Sequence, residues 1–394
     1  MRNVGVKAII PYAHQWIDEE DVDAVKEVLS GDWLTTGPTI SAFEDRVSNY
    51  CASKYAVSFS SGTAALHSAV FAAGVDKGDE VIVTPMTFAA SSNCILYNHG
   101  KPIFADIDRN TYNIDPEKIE KVISERTKAI IPVDFTGQPC DLDIIKSIAD
   151  KYDLLVIEDS SHSLGASYKG KKIGSLSDMT VFSFHPVKHI TTGEGGIITT
   201  DSKELFEKLV MFRNHGITKN VGKFSNSNEG DWFYEQQFLG YNYRISDLQC
   251  ALGISQLKKL DFFIKRRKEI VNRYNDAFNE IEGIITPHQL DFVDSSWHLY
   301  VCQLNLDTLD SNRRTIFDEL RKRDIGVHVH YIPVYLHPYY QQLGYKKGLC
   351  PNAEWLYERI ITLPLYPKME ERQISRVIEA VCRVIKNHGL KVIP

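Results

Sequence analysis

A chain of 394 residues, 43% hydrophobic and 24% charged, has the make-up of an ordinary globular protein and is long enough for two or three domains. Its net charge of -6 leaves no basic excess for a dedicated nucleic-acid binder, and no apolar run reaches the ~18 residues of a membrane-spanning helix. Seven cysteines without paired short spacings, and an N-terminus without signal-peptide regions, point to a reducing, cytoplasmic setting.

Asp18, Glu19, Glu20 and Asp21 cap and charge the start of a helix that runs to Gly31. Strands are expected at residues 55–58, 81–84, 102–105, 129–133 and 154–157, separated by helical patterns at 63–73, 89–98, 115–124 and 143–152. Such alternation predicts right-handed βαβ crossovers and a mostly parallel sheet covered on both faces, with ligands at the carboxyl ends of the strands. Two more apolar runs, 179–184 and 196–200, read as a hairpin-like pair with Lys188 on its connection. The segment 219–232 is polar and rich in Gly, Asn and Ser, and reads as a mobile loop. Beyond residue 255 the pattern changes. A long charged helix (256–280) leads to a strand (297–304), a helix (311–324), a strand (327–331) and a helix (370–386). The chain therefore divides into a large α/β domain, residues 1–255, and a smaller α+β domain, residues 256–394.

Lys188 lies in Ser183-Phe184-His185-Pro186-Val187-Lys188-His189, before the turn Gly193-Glu194-Gly195-Gly196. Asp159 closes the strand before it, in Val156-Ile157-Glu158-Asp159-Ser160-Ser161-His162. An aldehyde cofactor such as pyridoxal phosphate needs this pair: an amine for a Schiff base and a carboxylate to keep the pyridine nitrogen protonated. A solvated lysine and a simple helix cap are the bland alternatives. The turn Ser60-Ser61-Gly62-Thr63 follows a strand and opens a helix, which suits a phosphate or merely caps the helix. Phe88, at the next strand end, stacks on a cofactor ring or belongs to the core. His162 either meets that ring or is a satisfied buried histidine. Ser183 is close enough in sequence to serve the same phosphate. Asn242 and Arg244, in Gly240-Tyr241-Asn242-Tyr243-Arg244-Ile245-Ser246-Asp247, are polar groups in an aromatic setting, with Ser246 or Asp247 capping the next helix. His328 and His330 alternate on one face of their strand, but lack a third ligand for a metal.

Taken in order, these segments resemble the DegT/StrS-type sugar aminotransferases, a family of fold-type I pyridoxal phosphate enzymes, over nearly the whole chain. The motifs are Leu34-Thr35-Thr36-Gly37-Pro38, Ser61-Gly62-Thr63-Ala64-Ala65, Glu158 to Gly165, Ser183 to Gly196, Gly240 to Gln249, and Val327 to Tyr331 with Tyr339-Tyr340-Gln341. The resemblance implies an α/β fold with a seven-stranded-type sheet. It implies Lys188 as the Schiff-base lysine, Asp159 on the pyridine nitrogen and His162 by the ring and its 3-hydroxyl. Ser61, Gly62, Thr63 and Ser183 would surround the phosphate, and Phe88 would stack on the ring. Asn242 would reach the cofactor of a second subunit in a homodimer.

The nearest branch, on His185 to Gly196 and Val329-His330-Tyr331, is that of pseudaminic-acid pathway aminotransferases acting on a UDP-linked 4-keto-6-deoxy-N-acetylhexosamine, with L-glutamate as donor. There Tyr12, Asp32, Trp33, Leu34, Thr35, Ser61, Ser183, Asn242, His328, Val329, His330 and Tyr331 would line the sugar-nucleotide site. His162 stands where many members have glutamine, and His189 after the lysine is unusual. Three rivals remain: an aminotransferase for another UDP- or dTDP-keto sugar, a sugar 3-dehydratase of the same family, in which histidine replaces the lysine, and a regulatory protein that kept the fold without catalysis.

Overall fold

The computed structural model describes residues 9–225 and 229–389. Its centre is a seven-stranded sheet built from β1 (Tyr55–Phe59), β2 (Glu80–Val83), β3 (Lys101–Phe104), β4 (Thr127–Ile131), β5 (Leu155–Asp159), β6 (Met179–Ser183) and β7 (Gly196–Thr200). The spatial order is β1-β7-β6-β5-β4-β2-β3. Only β7 runs against its neighbours, pairing antiparallel with β1 and β6, while β6, β5, β4, β2 and β3 pair in parallel. The inner strands are apolar along their length because both faces are covered. Val81, Val83, Ile131 and Ile157 pack into one core cluster, and Ile82, Ile130, Val156 and Ile197 into another.

Every expected strand of this sheet is present, with ends shifted by a residue or two. The hairpin-like pair flanking Lys188 is β6 and β7. The first helix, Glu19–Leu29, starts at Asp18, whose side chain accepts from the Asp21 N–H while Asp21 returns the bond. Ser246 caps the helix Asp247–Leu257 in the same reciprocal way with Gln249.

Three elements differ from expectation. The long helix at 256–280 is two helices, Asp247–Leu257 and Leu260–Phe278, parted at Lys258 and Lys259. There the Lys259 ammonium turns back to the carboxylates of Asp18 and Asp21, and the new axis sends Leu260, Phe263 and Ile264 into the protein. Residues 327–331 form no strand, since only His328 bridges to Thr362. The helical pattern at 115–124 shrinks to Pro116–Glu120. A helix not expected, Pro38–Cys51, buries Ile40, Phe43, Val47 and Cys51 on one face. The polar segment 219–232 includes residues outside those described; its first part holds a short 3-10 turn, Val221–Lys223.

Toward the C-terminus, Tyr300–Leu304 lies between Ile284–Ile285 and Ile360–Leu363 in a small antiparallel sheet. Leu260–Phe278, Arg313–Lys322 and Glu371–Asn387 complete this part of the chain, whose core runs from Ile270 to Ile385. Ile10 joins that core from the other end of the sequence, bonded to Asp324 and Gly326. Among the described residues, no helix is long and apolar enough to cross a membrane.

Candidate active site

The turn after β1 is built for an anion. Ser61 is the N-cap of the helix Gly62–Ala72, its hydroxyl accepting from the Ala64 N–H at 3.1 Å. The N–H groups of Gly62 and Thr63 precede the first intrahelical bonds, at the positive end of the helix. Space here is limited on both sides. A Cβ on Gly62 would stand 3.0 Å from the Ser183 Cβ, and one on Gly196 only 2.6 Å from the Ser61 carbonyl oxygen. Ser183, at the end of β6, thus sits directly against the turn. The Ser60 N–H donates to the Tyr243 carbonyl at 2.8 Å, which ties the Asn242 segment to the same place.

Asp159 ends β5 and is buried. Its Oδ2 accepts from the Ser91 hydroxyl at 2.6 Å, and its Oδ1 from the Ser161 hydroxyl at 2.6 Å and N–H at 3.2 Å. Five residues beyond the end of β6, Lys188 is half-buried. Burial pushes its ammonium down to about 8, while the nearby Asp159 carboxylate opposes that fall. His162 is buried within the same electrostatic field. Burial, with Lys188, His330 and His189 adding repulsion, holds it well below the usual imidazole range, so it is neutral. Its Nδ1 has no hydrogen-bond partner. Its Nε2 stands 3.5 Å from the Tyr331 hydroxyl, and its ring centroid is 4.4 Å from that of His298. His189 turns away from this pocket. It packs on His298 and approaches the Ser296 carbonyl at 3.2 Å, so Lys188 alone of the two offers a nitrogen opposite Asp159.

A wall of rings borders the pocket. Tyr331 faces His162 and lies 6.2 Å from Phe88, whose ring is 61% exposed at the pocket mouth. Phe88 is therefore not a core residue. His330 is buried, with Nδ1 2.9 Å from the Thr362 hydroxyl, and burial pushes it down to about 3. His328 stacks on it at 4.5 Å, and Tyr12 contacts both rings at 5.3 Å. Val329 is partly buried, its N–H donating to His328 Nδ1 at 2.9 Å.

Asp32, Trp33, Leu34 and Thr35 form a separate, exposed group, and Asn242 is exposed as well. Thr35 bridges to Ser246, and the Leu34 carbonyl accepts from the Asp247 N–H. The buried Asp247 carboxylate in turn holds the Gly37 and Thr39 N–H groups at 2.8 and 3.0 Å. These bonds run to the start of the helix Asp247–Leu257, not to Lys188. Ser91, Ser161, Tyr243 and His298 belong to the site but were not anticipated. Only Ser161, two residues from Asp159, had a local signal as a possible Asx-type partner.

These residues fit pyridoxal phosphate: a helix N-terminus without room for a Cβ, a buried carboxylate, an amine and an orphaned imidazole nitrogen. Comparison with known proteins agrees. The model of the DegT/DnrJ/EryC1/StrS aminotransferase family matches residues 15–382. The chain belongs to this family. It is a pyridoxal-phosphate-dependent sugar aminotransferase. The spore coat polysaccharide biosynthesis protein SpsC of Bacillus subtilis is 44% identical over 96% of this chain and 97% of its own length. A UDP-4-amino-4,6-dideoxy-N-acetyl-beta-L-altrosamine transaminase of Campylobacter jejuni is 38% identical over 96% and 98%. Among solved structures, Helicobacter pylori PseC, an aminotransferase of pseudaminic acid biosynthesis, superposes with a TM-score of 0.90 at 34% identity, covering 96% of this chain and 100% of its own.

Proposed function

We propose that this chain transfers an amino group from L-glutamate to C4 of a UDP-linked 4-keto-6-deoxy-N-acetylhexosamine, a step of pseudaminic acid biosynthesis, as a cytoplasmic homodimer. The observation that carries the reading is a lysine amine that burial pushes down to about 8 opposite a buried carboxylate, beside a wall of rings. An amine that titrates this close to neutrality is available as nucleophile and as proton carrier. We also take residues 1–255 as the cofactor domain and 256–394 as the small domain; one core cluster, Ile10 apart, lies within the second, while Val301, Tyr335 and Leu356 pack into the core of the first.

Bound pyridoxal phosphate supplies an exchangeable aldehyde carbon and a cationic ring that takes up electron density. The chain supplies the rest. Lys188 Nζ would hold the cofactor and, when free, would serve as the amine that carries a proton in the site. Asp159 keeps the ring nitrogen protonated, its oxygens fixed by Ser91 and Ser161 so that it cannot swing away. Gly62, Thr63, Ser61 and Ser183 would hold the phosphate, and His162 and Phe88 would hold the ring. Tyr12, His328, Val329, His330 and Tyr331 offer hydrogen bonds and apolar faces to a sugar. His330, pushed down to about 3, does so without charge. The exposed Trp33, Leu34, Leu239 and Tyr241 support a partner surface there. Across it, Asp32, Trp33, Leu34, Thr35 and Asn242 would complete the neighbouring site.

The similarity to SpsC favours a second reading, the same chemistry on another UDP- or dTDP-keto sugar. Both are tested by offering a panel of UDP- and dTDP-4-keto-6-deoxy sugars with glutamate. The first reading predicts 2-oxoglutarate and a single C4 epimer of the UDP-linked N-acetyl sugar by NMR. Turnover confined to other sugars selects the second. A 3-deoxy product, or a Lys188→Ala protein with unchanged turnover, overturns both.

A further inference from the structure

Strand β5 ends in two consecutive acids, whose side chains leave on opposite faces of the sheet. Asp159 faces the cofactor pocket. Glu158 faces the layer behind, where it meets Asp134, which follows β4. Neither acid has any solvent exposure. Glu158 Oε2 accepts from the hydroxyls of Ser177 and Thr180 at 2.9 and 3.0 Å. Asp134 Oδ1 accepts from the Cys140 N–H at 2.9 Å, and Oδ2 from the hydroxyls of Ser160 and Ser163 at 3.0 and 2.6 Å. One oxygen remains. Among the described residues, Glu158 Oε1 is fully buried without a partner, and the Glu158 and Asp134 carboxyls lie within hydrogen-bonding reach of each other. Among the described residues, no lysine or arginine pairs with either acid.

Two bare carboxylates cannot share such a space: each loses its hydration and repels the other, and no cation offsets either cost. A single proton resolves both problems. It removes one charge and turns the orphaned oxygen into a donor to Asp134. Burial, reinforced by the Asp134 charge, pushes Glu158 well above the usual carboxylate range, which places the proton there.

We propose that Glu158 and Asp134 share one proton and that this acid pair is the positioning unit for the turn carrying Asp159, Ser161 and His162 to the cofactor. Asp134 grips Ser160 and Ser163, the two residues that flank Ser161 and His162. Ser161 in turn holds Asp159, and the Asp134 N–H donates to the Asp159 carbonyl at 3.2 Å. Neither Glu158 nor Asp134 touches a reacting atom in this arrangement. The proposal rests on the reading that this turn faces the cofactor.

Infrared spectroscopy of the holoenzyme tests the proton directly. The wild type is expected to show the carbonyl stretch of a protonated carboxyl, shifted in D2O and absent from Glu158→Gln. A band that survives in Glu158→Gln, or no band in the wild type, overturns the proposal. These readings do not depend on which sugar is the substrate. Positioning is tested by visible circular dichroism of the bound cofactor and by kinetics with glutamate. Glu158→Ala is expected to alter the dichroism and lower kcat by about tenfold, with KM changed less than about threefold. Glu158→Gln, whose amide N–H still donates to Asp134, is expected to restore most of both. Equal damage in the two variants overturns the positioning role. If Glu158→Ala does not fold, the infrared comparison still decides.

Discussion

Replacing Lys188 with methionine should stabilise the cofactor-free protein, and the pH at which that gain disappears is set by the structure. Burial lowers the Lys188 ammonium from its ordinary 10.5 to about 8. Such a fall corresponds to about 3 kcal/mol of unfavourable free energy in the folded state. The folded value lies below the unfolded one, so the penalty is full below pH 8, shrinks as the pH rises toward 10.5, and is absent above it. Methionine has similar length and carries no charge, so Lys188→Met removes the whole term. A chain of this length loses about 0.8 kcal/mol of stability per degree near its midpoint, so Tm should rise by about 4 °C near neutral pH. The assay is thermal unfolding of both cofactor-free proteins across the alkaline range, read as their difference so that other titrations cancel. Asp159 opposes the fall. In an Asp159→Asn background the gain from Lys188→Met should therefore be larger. A gain that is absent near neutral pH, or that persists unchanged to high pH, would refute the claim that Lys188 is destabilised by burial.

Gly196→Ala should weaken pyridoxal phosphate binding by at least about tenfold in a spectroscopic titration, because its Cβ would lie 2.6 Å from the Ser61 carbonyl oxygen and 2.7 Å from the Gly62 nitrogen. Gly193→Ala, which meets nothing within 4 Å and has φ +80°, should cost only about 1 kcal/mol of stability and leave cofactor affinity within about twofold. Asp247→Ala strips two backbone N–H groups of a buried acceptor. It should lower stability by about 3 kcal/mol. In the proposed dimer it should raise KM for the nucleotide sugar more than KM for glutamate, and equal effects on both would count against that role for residues 32–35.

The sheet was legible because its strands are apolar on both faces and short, so that β1 to β5 stand out as runs separated by helical spacing. What failed was local pattern opposed by distant contacts. Gln256 to Glu280 reads as one charged helix, yet Asp18 and Asp21, some 240 residues away, draw Lys259 aside and break it. Val327 to Tyr331 has the alternation of a strand, but it pairs only through His328 and is held otherwise by rings from Tyr12 and a hydroxyl from Thr362. Lys188, Asp159 and the Ser61 turn sit at strand ends, where topology concentrates ligands, and so could be found from order alone. Ser91, His298 and Asp134 could not. Each is an ordinary residue whose importance lies in the groups that it faces.

The two halves of the site therefore have different origins. Lys188, Asp159, Ser183 and the phosphate turn hang on β6, β5 and β1 of one sheet, and their geometry follows from β-sheet register. The sugar wall does not. Tyr12 is placed by its carbonyl accepting from the Leu365 N–H at 2.9 Å, and Ile10 by exchanging bonds with Asp324 and Gly326. Gly326 has no room for a Cβ, which would stand 2.6 Å from the Ile10 carbonyl oxygen. The N-terminal strip and residues 326–331 are thus tied together, with His328 stacked on His330 and Tyr12 tilted against both rings. Discrimination between epimeric or homologous sugars takes only about 1–3 kcal/mol. Small changes in this strip are enough to supply it without disturbing the lysine, the carboxylate or the phosphate turn. A single cofactor frame can thereby serve relatives with different sugars, and we propose the strip at Tyr12 and His328 to Tyr331 as the place where this chain sets its own choice.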